Sequence, residues 1–182
     1  MENKYIVFGT GCFWCSEAIF SMFNGIEKVI PGYAGGFTQN PDYRQVCTDK
    51  TGHAEVVKIF YNPEIISLDK ILEIFMQVHD PTSLNRQGND VGTQYRSIIL
   101  YSDEEEGNKI RNFIKSQQKN YRKPIVTEVK KLDVFYEAED YHHNYFRDNP
   151  SNPYCSMVIS PEVTDVTIRF KTLLKEQEKA KN

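Results

Sequence analysis

The segment Tyr5-Ile6-Val7-Phe8-Gly9-Thr10-Gly11-Cys12-Phe13-Trp14-Cys15 determines how the fold begins, because an apolar run meets a thiol at the start of a helical pattern. Residues 5–8 are typical of a short buried strand, and the apolar residues that follow recur at helical spacing until Asn24-Gly25. We therefore predict that Cys12 lies where free backbone N–H groups and the positive end of a helix dipole converge. This position favours the thiolate, the nucleophilic form of cysteine. An inert buried thiol is the alternative.

The composition is that of a globular protein with one catalytic domain, which we expect to span residues 1–182. Apolar residues make up 40% of the chain and charged residues 26%, which are ordinary fractions. The formal net charge of -3 gives no electrostatic reason to expect nucleic acid or an anionic membrane as a partner. No stretch approaches the ~20 apolar residues that span a bilayer. The N-terminus shows neither a signal peptide nor a transit peptide, so a cytoplasmic location is expected, and nothing demands more than a monomer.

Four cysteines in such a chain are more typical of reactive or free thiols than of a disulfide framework. Cys15 completes a Cys-x-x-Cys motif with Cys12, and residues three apart on a helix are neighbours, so the second sulfur is placed to attack an oxidised first one. Burial of Cys15 on the inner face of the helix is an equally good interpretation. Zinc is disfavoured because it needs four ligands and no second ligand pair is present. Cys47 is expected to be packed.

Apolar periodicity predicts an α+β fold. We expect further strands over residues 27–31, 54–61, 95–101 and 125–129. Helices are expected after the capping residue Ser67, within a capping box of Ser102 and Glu105, and from Ser160-Pro161. The order β-α-β, long loop, β-α-β predicts a ferredoxin-like two-layer α/β sandwich with a mixed sheet, long loops and an added C-terminal helix.

The longest loops are also the richest in polar and aromatic residues, and long loops are uncommon in compact domains unless they carry function. A glycine-rich loop begins at residues 32–36, and a polar run covers residues 79–90. Residues 135–154 are expected to be irregular or briefly helical. The pair His142-His143 within them lacks companion metal ligands, so hydrogen bonding is its expected role.

Glu55 begins the strand predicted over residues 54–61, and alternation places its side chain on one face with Val57. A carboxylate on an apolar face has its charged form desolvated, which makes it a better proton donor. The alternative is an exposed residue at the beginning of a strand. Tyr43 and Tyr95 are candidates to direct hydroxyl groups at a developing oxyanion. Taken singly, each is more typical of a packing aromatic with a satisfied hydroxyl.

Several motifs, in this order, closely resemble the peptide methionine sulfoxide reductase A family from about residue 9 to residue 159. They are Gly11-Cys12-Phe13-Trp14, Gly32-Tyr33-Ala34-Gly35-Gly36, Asn40-Pro41 with Tyr43, Thr51-Gly52-His53-Ala54-Glu55, and Asn85-Arg86-Gln87-Gly88-Asn89-Asp90-Val91-Gly92-Thr93-Gln94-Tyr95-Arg96-Ser97. The resemblance implies reduction of methionine sulfoxide, free or in proteins, restricted to the S epimer at sulfur. It also implies a thiol mechanism that thioredoxin resets, with no flavin, nicotinamide or metal cofactor.

The resemblance also implies roles for individual residues. Cys12 is implied as the nucleophile and Glu55 as the acid. The other residues contact substrate: Tyr43 and Tyr95 at the sulfoxide oxygen, Asp90 at the substrate backbone, and Phe13 and Trp14 around the methyl group.

The chain departs from the family pattern at the cysteine that condenses with the Cys12 sulfenic acid. Many relatives have glycine at the position of Cys15, and many carry a glycine-rich tail with recycling cysteines. This chain has instead Asn152-Pro153-Tyr154-Cys155 followed by a helix. Cys155 and Cys15 are both candidates, and Cys155 is preferred because a mobile loop can approach without bending a helix.

Three other functions compete with sulfoxide reduction. A general thiol–disulfide oxidoreductase follows from Cys12 and Cys15 alone, but it gives Glu55 no role. A non-catalytic module that binds oxidised or methionine-rich peptides is the second. A thiol hydrolase is weaker, because His53 or His142 would have to reach Cys12.

Overall fold

Strands and helices alternate along residues 4–176, the part of the chain that the computed structural model describes. The strands are β1 (Lys4–Gly9), β2 (Ile26–Ala34), β3 (Ala54–Tyr61), β4 (Arg86–Gln87), β5 (Asp90–Val91), β6 (Ile98–Tyr101), β7 (Glu128–Lys131) and β8 (Phe135–Glu137). The α-helices are α1 (Phe13–Phe20), α2 (Tyr43–Val46), α3 (Leu68–Gln77), α4 (Glu104–Gln117), α5 (Tyr145–Asp148) and α6 (Ser160–Arg169).

Six of these strands form one sheet in the order β7-β6-β1-β3-β2-β8, and β4 pairs with β5 in a separate hairpin. β1 is antiparallel to both of its neighbours, so that Phe8 lies opposite Val57 of β3 and Ile99 of β6. β7 is parallel to β6, whereas β2 and β8 continue the sheet antiparallel at the other edge. The predicted mixed α/β fold with a mixed sheet is therefore confirmed, and the strand that leads to Cys12 lies inside the sheet.

The helical face of the sheet is held by aromatic packing around Phe8. Its ring lies 5.5 Å from Phe20 of α1 and 4.6 Å from Phe75 of α3, measured between centroids. Because side chains alternate along a strand, Val7 points to the opposite face and packs in a second apolar cluster with Val56. Burial on both faces fixes β1, and the contact between Phe8 and Phe20 holds the end of α1 against the sheet.

Helix α3 has the predicted start, whereas α4 begins one residue later than predicted. The Ser67 hydroxyl accepts a hydrogen bond from the backbone N–H of Lys70 (3.2 Å), as expected of a capping residue. In α4 the capping residue is Asp103, whose carboxylate accepts from the N–H of Glu106 (3.0 Å). The predicted box of Ser102 and Glu105 is wrong because the charged Asp103 side chain takes the capping position.

The first helix is shorter than predicted and the second strand is longer. α1 ends at Phe20, and a turn leads to Gly25, which has a positive φ of 87°. β2 runs from Ile26 to Ala34 and includes residues that the sequence assigned to a glycine-rich loop. The reason is β8, which pairs with the end of β2 and places Gly32 opposite Glu137.

Three further boundaries differ from the sequence-based expectation. The strand expected from residue 95 begins at Ile98, because residues 93–95 form a 3-10 turn. The strand expected over residues 125–129 is Glu128–Lys131. The last helix is preceded by a π-helical turn, Cys155–Ile159, so helical backbone begins before Ser160-Pro161. Among the described residues, no helix has both the length and the apolar character needed to cross a bilayer.

The aromatic packing predicts unequal costs for two Phe→Ala substitutions. Phe75 has no exposed surface, whereas Phe37 is 78% exposed. Phe75→Ala should lower the free energy of unfolding by about 3–5 kcal/mol because it leaves a cavity. The control Phe37→Ala should change it by less than about 0.5 kcal/mol. Urea unfolding followed by circular dichroism measures both, and equal effects would contradict this account of the core.

Candidate active site

Cys12 is the residue immediately before α1, as the sequence predicts. Its backbone is extended (φ −57°, ψ 126°), and its carbonyl accepts from the N–H of Ser16 (3.2 Å) in the first helical turn. The preceding Gly11 has a φ of 108°, a backbone conformation that side chains disfavour. A Cβ there would also lie 2.9 Å from Gln87. Glycine thus allows the sharp turn that brings Cys12 from β1 to the helix.

Cys12 as a residue is partly exposed, and its sulfur is surrounded by hydrogen-bond donors. Burial of the group raises its pKa, but the donors outweigh burial and leave the pKa lowered. They are the Cys15 thiol, the backbone N–H groups of Trp14 and Cys15, and the Tyr154 hydroxyl. Because hydrogen bonds to a charged form favour that form, the site stabilises a Cys12 thiolate.

Glu55 lies beside the start of the same helix with 1% of its surface exposed. Its Oε2 atom accepts a hydrogen bond from the backbone N–H of Phe13 (3.1 Å), the residue after the thiol. Burial, and then the negative charges of Cys12 and Asp90, raise the pKa of Glu55 well above its usual value. The structure therefore favours the protonated form of Glu55, within electrostatic reach of the Cys12 thiolate.

Tyr43 and Tyr95 lie near the Glu55 carboxyl group, and they belong to two other elements of the fold. Tyr43 is the first residue of α2, not part of a loop, and its ring stacks on Phe13 with centroids 6.5 Å apart. Tyr95 ends the 3-10 turn before β6. Burial is the main cause that raises the pKa of each tyrosine, and the nearby Glu55 carboxyl group, which raises it further when ionised, is the second. Both hydroxyl groups stay protonated and able to donate.

Trp14 is fixed by a segment that the sequence left irregular. Its indole stacks on Tyr145 of α5, with centroids 3.7 Å apart and planes 6° from parallel. Its Nε1 donates to Nδ1 of His142 (3.0 Å). Burial lowers the pKa of His142 to about 4, so the imidazole is neutral and accepts. The expected hydrogen-bonding role of His142 is confirmed. Phe13, 1% exposed, packs beneath these rings.

Asp90 and Tyr154 close the other side of Cys12. Asp90 is in the β4–β5 hairpin, which forms from the polar run, and its Oδ2 accepts from the Tyr154 hydroxyl (2.5 Å). With Cys12, Cys15 and Glu162 they line a cavity of about 460 Å³. A larger cleft of about 670 Å³ near Lys4 contains none of the predicted site residues.

Among residues 4–176, no cluster of three or more His, Cys, Asp or Glu side chains is arranged to hold a metal ion. The groups gathered at Cys12 are instead a thiolate, a protonated carboxyl group and hydroxyl donors. This combination suits proton-coupled attack by sulfur on a polar oxygen-bearing group.

Comparison with known proteins agrees with this chemistry. The family model described as "Peptide methionine sulfoxide reductase" matches residues 4–173. The chain belongs to this family. The enzyme is 57% identical over 155 residues to the peptide methionine sulfoxide reductase MsrA of Saccharolobus solfataricus, a match that covers 85% of this chain and 88% of that protein.

Solved structures share the fold of this reductase. Reduced Mxr1 from Saccharomyces cerevisiae superposes with a TM-score of 0.79 at 33% identity, over 84% of this chain and 89% of that one. A structure of the same yeast protein in complex with Trx2 matches with a TM-score of 0.57 at 22% identity, over 79% of this chain and 84% of that one.

Glu139 supports the reductase site, and sequence reasoning did not identify it. Its carboxylate accepts from the Tyr33 hydroxyl (2.7 Å) and from the backbone N–H of Tyr43 (2.8 Å). It therefore fixes the start of α2 and the position of Tyr43. Residues 135–154 contain four acidic residues among their aromatic side chains, so no sequence signal singled out Glu139.

The remaining cysteines of the reductase lie in unlike environments. The Cys15 thiol is hydrogen-bonded to Cys12. Cys155 has no exposed surface and begins the π-helical turn, so the expectation that it sits in a mobile loop is wrong. Cys47 is exposed and hydrogen-bonded to the Tyr43 hydroxyl, so the expectation that it is packed is also wrong. It ends a single-turn helix, which leaves its side chain at the surface.

The Tyr154 hydroxyl should control the ionisation of Cys12. The single proton of the Tyr154 hydroxyl is shared between Asp90 and the Cys12 thiolate. Tyr154→Phe removes it, so the pKa of Cys12 should rise and its alkylation by iodoacetamide below that pKa should slow by up to roughly tenfold. Tyr145→Phe is the matched control, because its hydroxyl contacts Asn152 and not the thiol. Alkylation rates of Cys12 across pH, read by mass spectrometry, compare the variants. An unchanged profile for Tyr154→Phe would refute this role.

Proposed function

We propose that this enzyme reduces the S epimer of methionine sulfoxide, free or in proteins, and that Cys12 and Glu55 carry the first step. The observation that supports it most is the hydrogen bond from the Phe13 N–H to Glu55. Because Phe13 directly follows Cys12, this bond keeps a carboxyl group with a raised pKa close to a stabilised thiolate. A sulfoxide needs both groups, because its sulfur becomes electrophilic only as its oxygen receives a proton or a strong hydrogen bond.

In this first step the Cys12 thiolate attacks the sulfoxide, and Glu55 gives one proton to the oxygen. The oxygen passes to Cys12, methionine leaves, and the products are a Cys12 sulfenic acid and an ionised Glu55. Tyr43 and Tyr95 donate hydrogen bonds to the oxygen while charge develops on it. The loss of one such donor typically costs ~3 kcal/mol of transition-state stabilisation.

The aromatic and acidic neighbours provide the substrate contacts of this proposal. Phe13 and Trp14 form an apolar wall for the methyl group, and their stacking partners hold them rigid. Asp90 would hold the substrate backbone by accepting an N–H. Its bond to Tyr154 supports this role, because it fixes the carboxylate at the rim of the cavity.

Cys15 is the better candidate for the resolving cysteine. Its thiol already contacts Cys12, whereas Cys155 is buried in helical backbone. The preference for Cys155 assumed that this residue lies in a mobile loop. Because Cys155 lies in a π-helical turn, we prefer Cys15. Condensation of Cys15 with the sulfenic acid gives a disulfide and water, which protects Cys12 from further oxidation.

Thioredoxin is the proposed reductant of this disulfide. The yeast relative solved in complex with Trx2 supports this partner. A dithiol reductant belongs to a reducing compartment, which supports a cytoplasmic location. The reaction requires no nucleic acid, membrane or second subunit, so the proposed working form is a monomer.

For the fold, we propose a ferredoxin-like core within one catalytic domain over residues 1–182. Four strands in the order β6-β1-β3-β2, each antiparallel to its neighbour, support it together with the crossover helices α1 and α3. β7 and β8 extend the two edges, and α6 is the added C-terminal helix.

Two substitutions test the first step. Cys12→Ser should abolish formation of methionine, and Glu55→Gln should slow it by about 10²–10⁴-fold, because the amide cannot supply the proton. Because the pKa of Glu55 is raised, the parental rate should fall as pH rises through that pKa. Single-turnover assays with the S and R sulfoxides measure both effects. A parental rate for Glu55→Gln across neutral pH would disprove the acid assignment.

Separate replacement of Cys15 and Cys155 tests recycling. Cys15→Ser should release one methionine per enzyme without turnover in the presence of thioredoxin, and its sulfenic acid should accumulate. Cys155→Ser should keep both the burst and turnover. Methionine release is counted with and without thioredoxin, with insulin reduction as the control for a general oxidoreductase. The reverse pattern would assign resolution to Cys155.

A further inference from the structure

The C-terminal helix brings an additional acid to the cavity. α6 lies against α1. Its residue Glu162, about two helical turns after Cys155, lines the same cavity as Cys12 and Cys15. The sequence identified this helix only by its start at Ser160-Pro161, and neither the proposed first step nor substrate binding uses Glu162.

Glu162 and the resolving thiol line the same cavity. The Cys15 thiol lies within interaction range of two acceptors there, the Glu162 carboxylate and Cys12, and both raise its pKa. A thiol has a single proton, so the two acceptors share or compete for it. Cys15 therefore lies between the sulfur that it must attack and a group that can take its proton.

We propose that Glu162 is the general base of the resolving step and takes the proton of Cys15 as this thiol attacks the Cys12 sulfenic acid. The inference rests on the proposed assignment of Cys15. It adds a residue that touches a reacting atom, and it gives the C-terminal helix a part in catalysis.

The step balances with no external oxidant or reductant. The sulfur of Cys15 forms a bond to the sulfur of Cys12, and the S–O bond of the sulfenic acid breaks. The departing hydroxide takes up one proton and becomes water. This proton balances the one that Glu162 takes from Cys15 and then releases through solvent in the cavity. One thiol and one sulfenic acid give one disulfide and one water, and Glu162 ends as a carboxylate.

Electrostatics make this order of events favourable. In the reduced enzyme the hydrogen bond to Cys12, then burial, then the charges of Cys12 and Glu162 raise the pKa of Cys15. Cys15 thus stays a thiol while Cys12 is the thiolate. Oxidation converts Cys12 to a neutral sulfenic acid, which removes one negative charge and one acceptor. The proton of Cys15 is then free to move to Glu162.

The position of Glu162 also suits a base. The residue as a whole is exposed, but burial of its carboxyl end raises its pKa, and the bond from Cys15 opposes this in part. A raised pKa of Glu162 reduces the pKa difference between this base and a thiol, which favours proton transfer. The titratable groups that share the cavity with it are Cys12, Cys15, His79, Asp90 and Tyr154.

Rapid-quench single turnovers of the full chain with the S sulfoxide test the proposal. Methionine reports the first step, and dimedone trapping of the sulfenic acid with mass spectrometry of the disulfide reports the second. Glu162→Gln should leave the methionine burst unchanged and slow disulfide formation roughly 100-fold. Its rate should then rise about tenfold per pH unit near neutrality, because Cys15 must ionise to solvent, whereas the parental rate should be flat. Glu162→Asp should retain part of the rate.

Asp165→Asn is the matched control, because this acid lies on the same helix and pairs with Arg169 instead of a cysteine. It should match the parent in both steps. A parental rate of disulfide formation in Glu162→Gln, alongside loss of the disulfide in Cys15→Ser, would overturn the role of Glu162 alone. Equal slowing of both steps would show a structural role and also overturn it. A disulfide that persists in Cys15→Ser would overturn the resolving assignment and this inference with it.

Discussion

The hydrogen bond from the Phe13 N–H to the Glu55 carboxyl group is the constraint on which the site depends. It joins the first turn of α1 to β3 across residues that are 42 positions apart in the chain. Both ends are buried, so neither partner has water as an alternative, and the bond is costly to break. Through it, the carboxyl group that we propose as the proton donor is held in register with the Cys12 thiolate.

Local sequence signals were sufficient for much of the fold. The strand before Cys12, the cap at Ser67 and the strand from Ala54 to Tyr61 each carry their own pattern and lie where it predicts. One error, at β2, lies where a distant partner decides. β2 extends through Gly32 to Ala34 because β8 pairs with it, and no local pattern in residues 32–36 reveals that pairing.

The residues of the site divide in the same way, into those that a local pattern reveals and those that depend on a distant partner. Cys12 and Glu55 were found because a helix start and an apolar strand face alter their chemistry locally. Glu139 and Glu162 were not found, because the residues beside them, Tyr43 and Cys15, lie roughly a hundred or more positions away in the chain. The choice between two resolving thiols likewise required the backbone of residues 155–159, whose π-helical turn has no clear sequence signature.

The stacking of Trp14 on Tyr145, together with its hydrogen bond to His142, has an optical consequence. Trp14 is the single tryptophan of the chain, so all indole emission originates two residues from the nucleophile. A thiolate, a sulfenic acid and a disulfide quench a nearby excited indole to different extents. The protein thus contains its own fluorescent reporter, and the redox state of Cys12 can be followed in real time without a label.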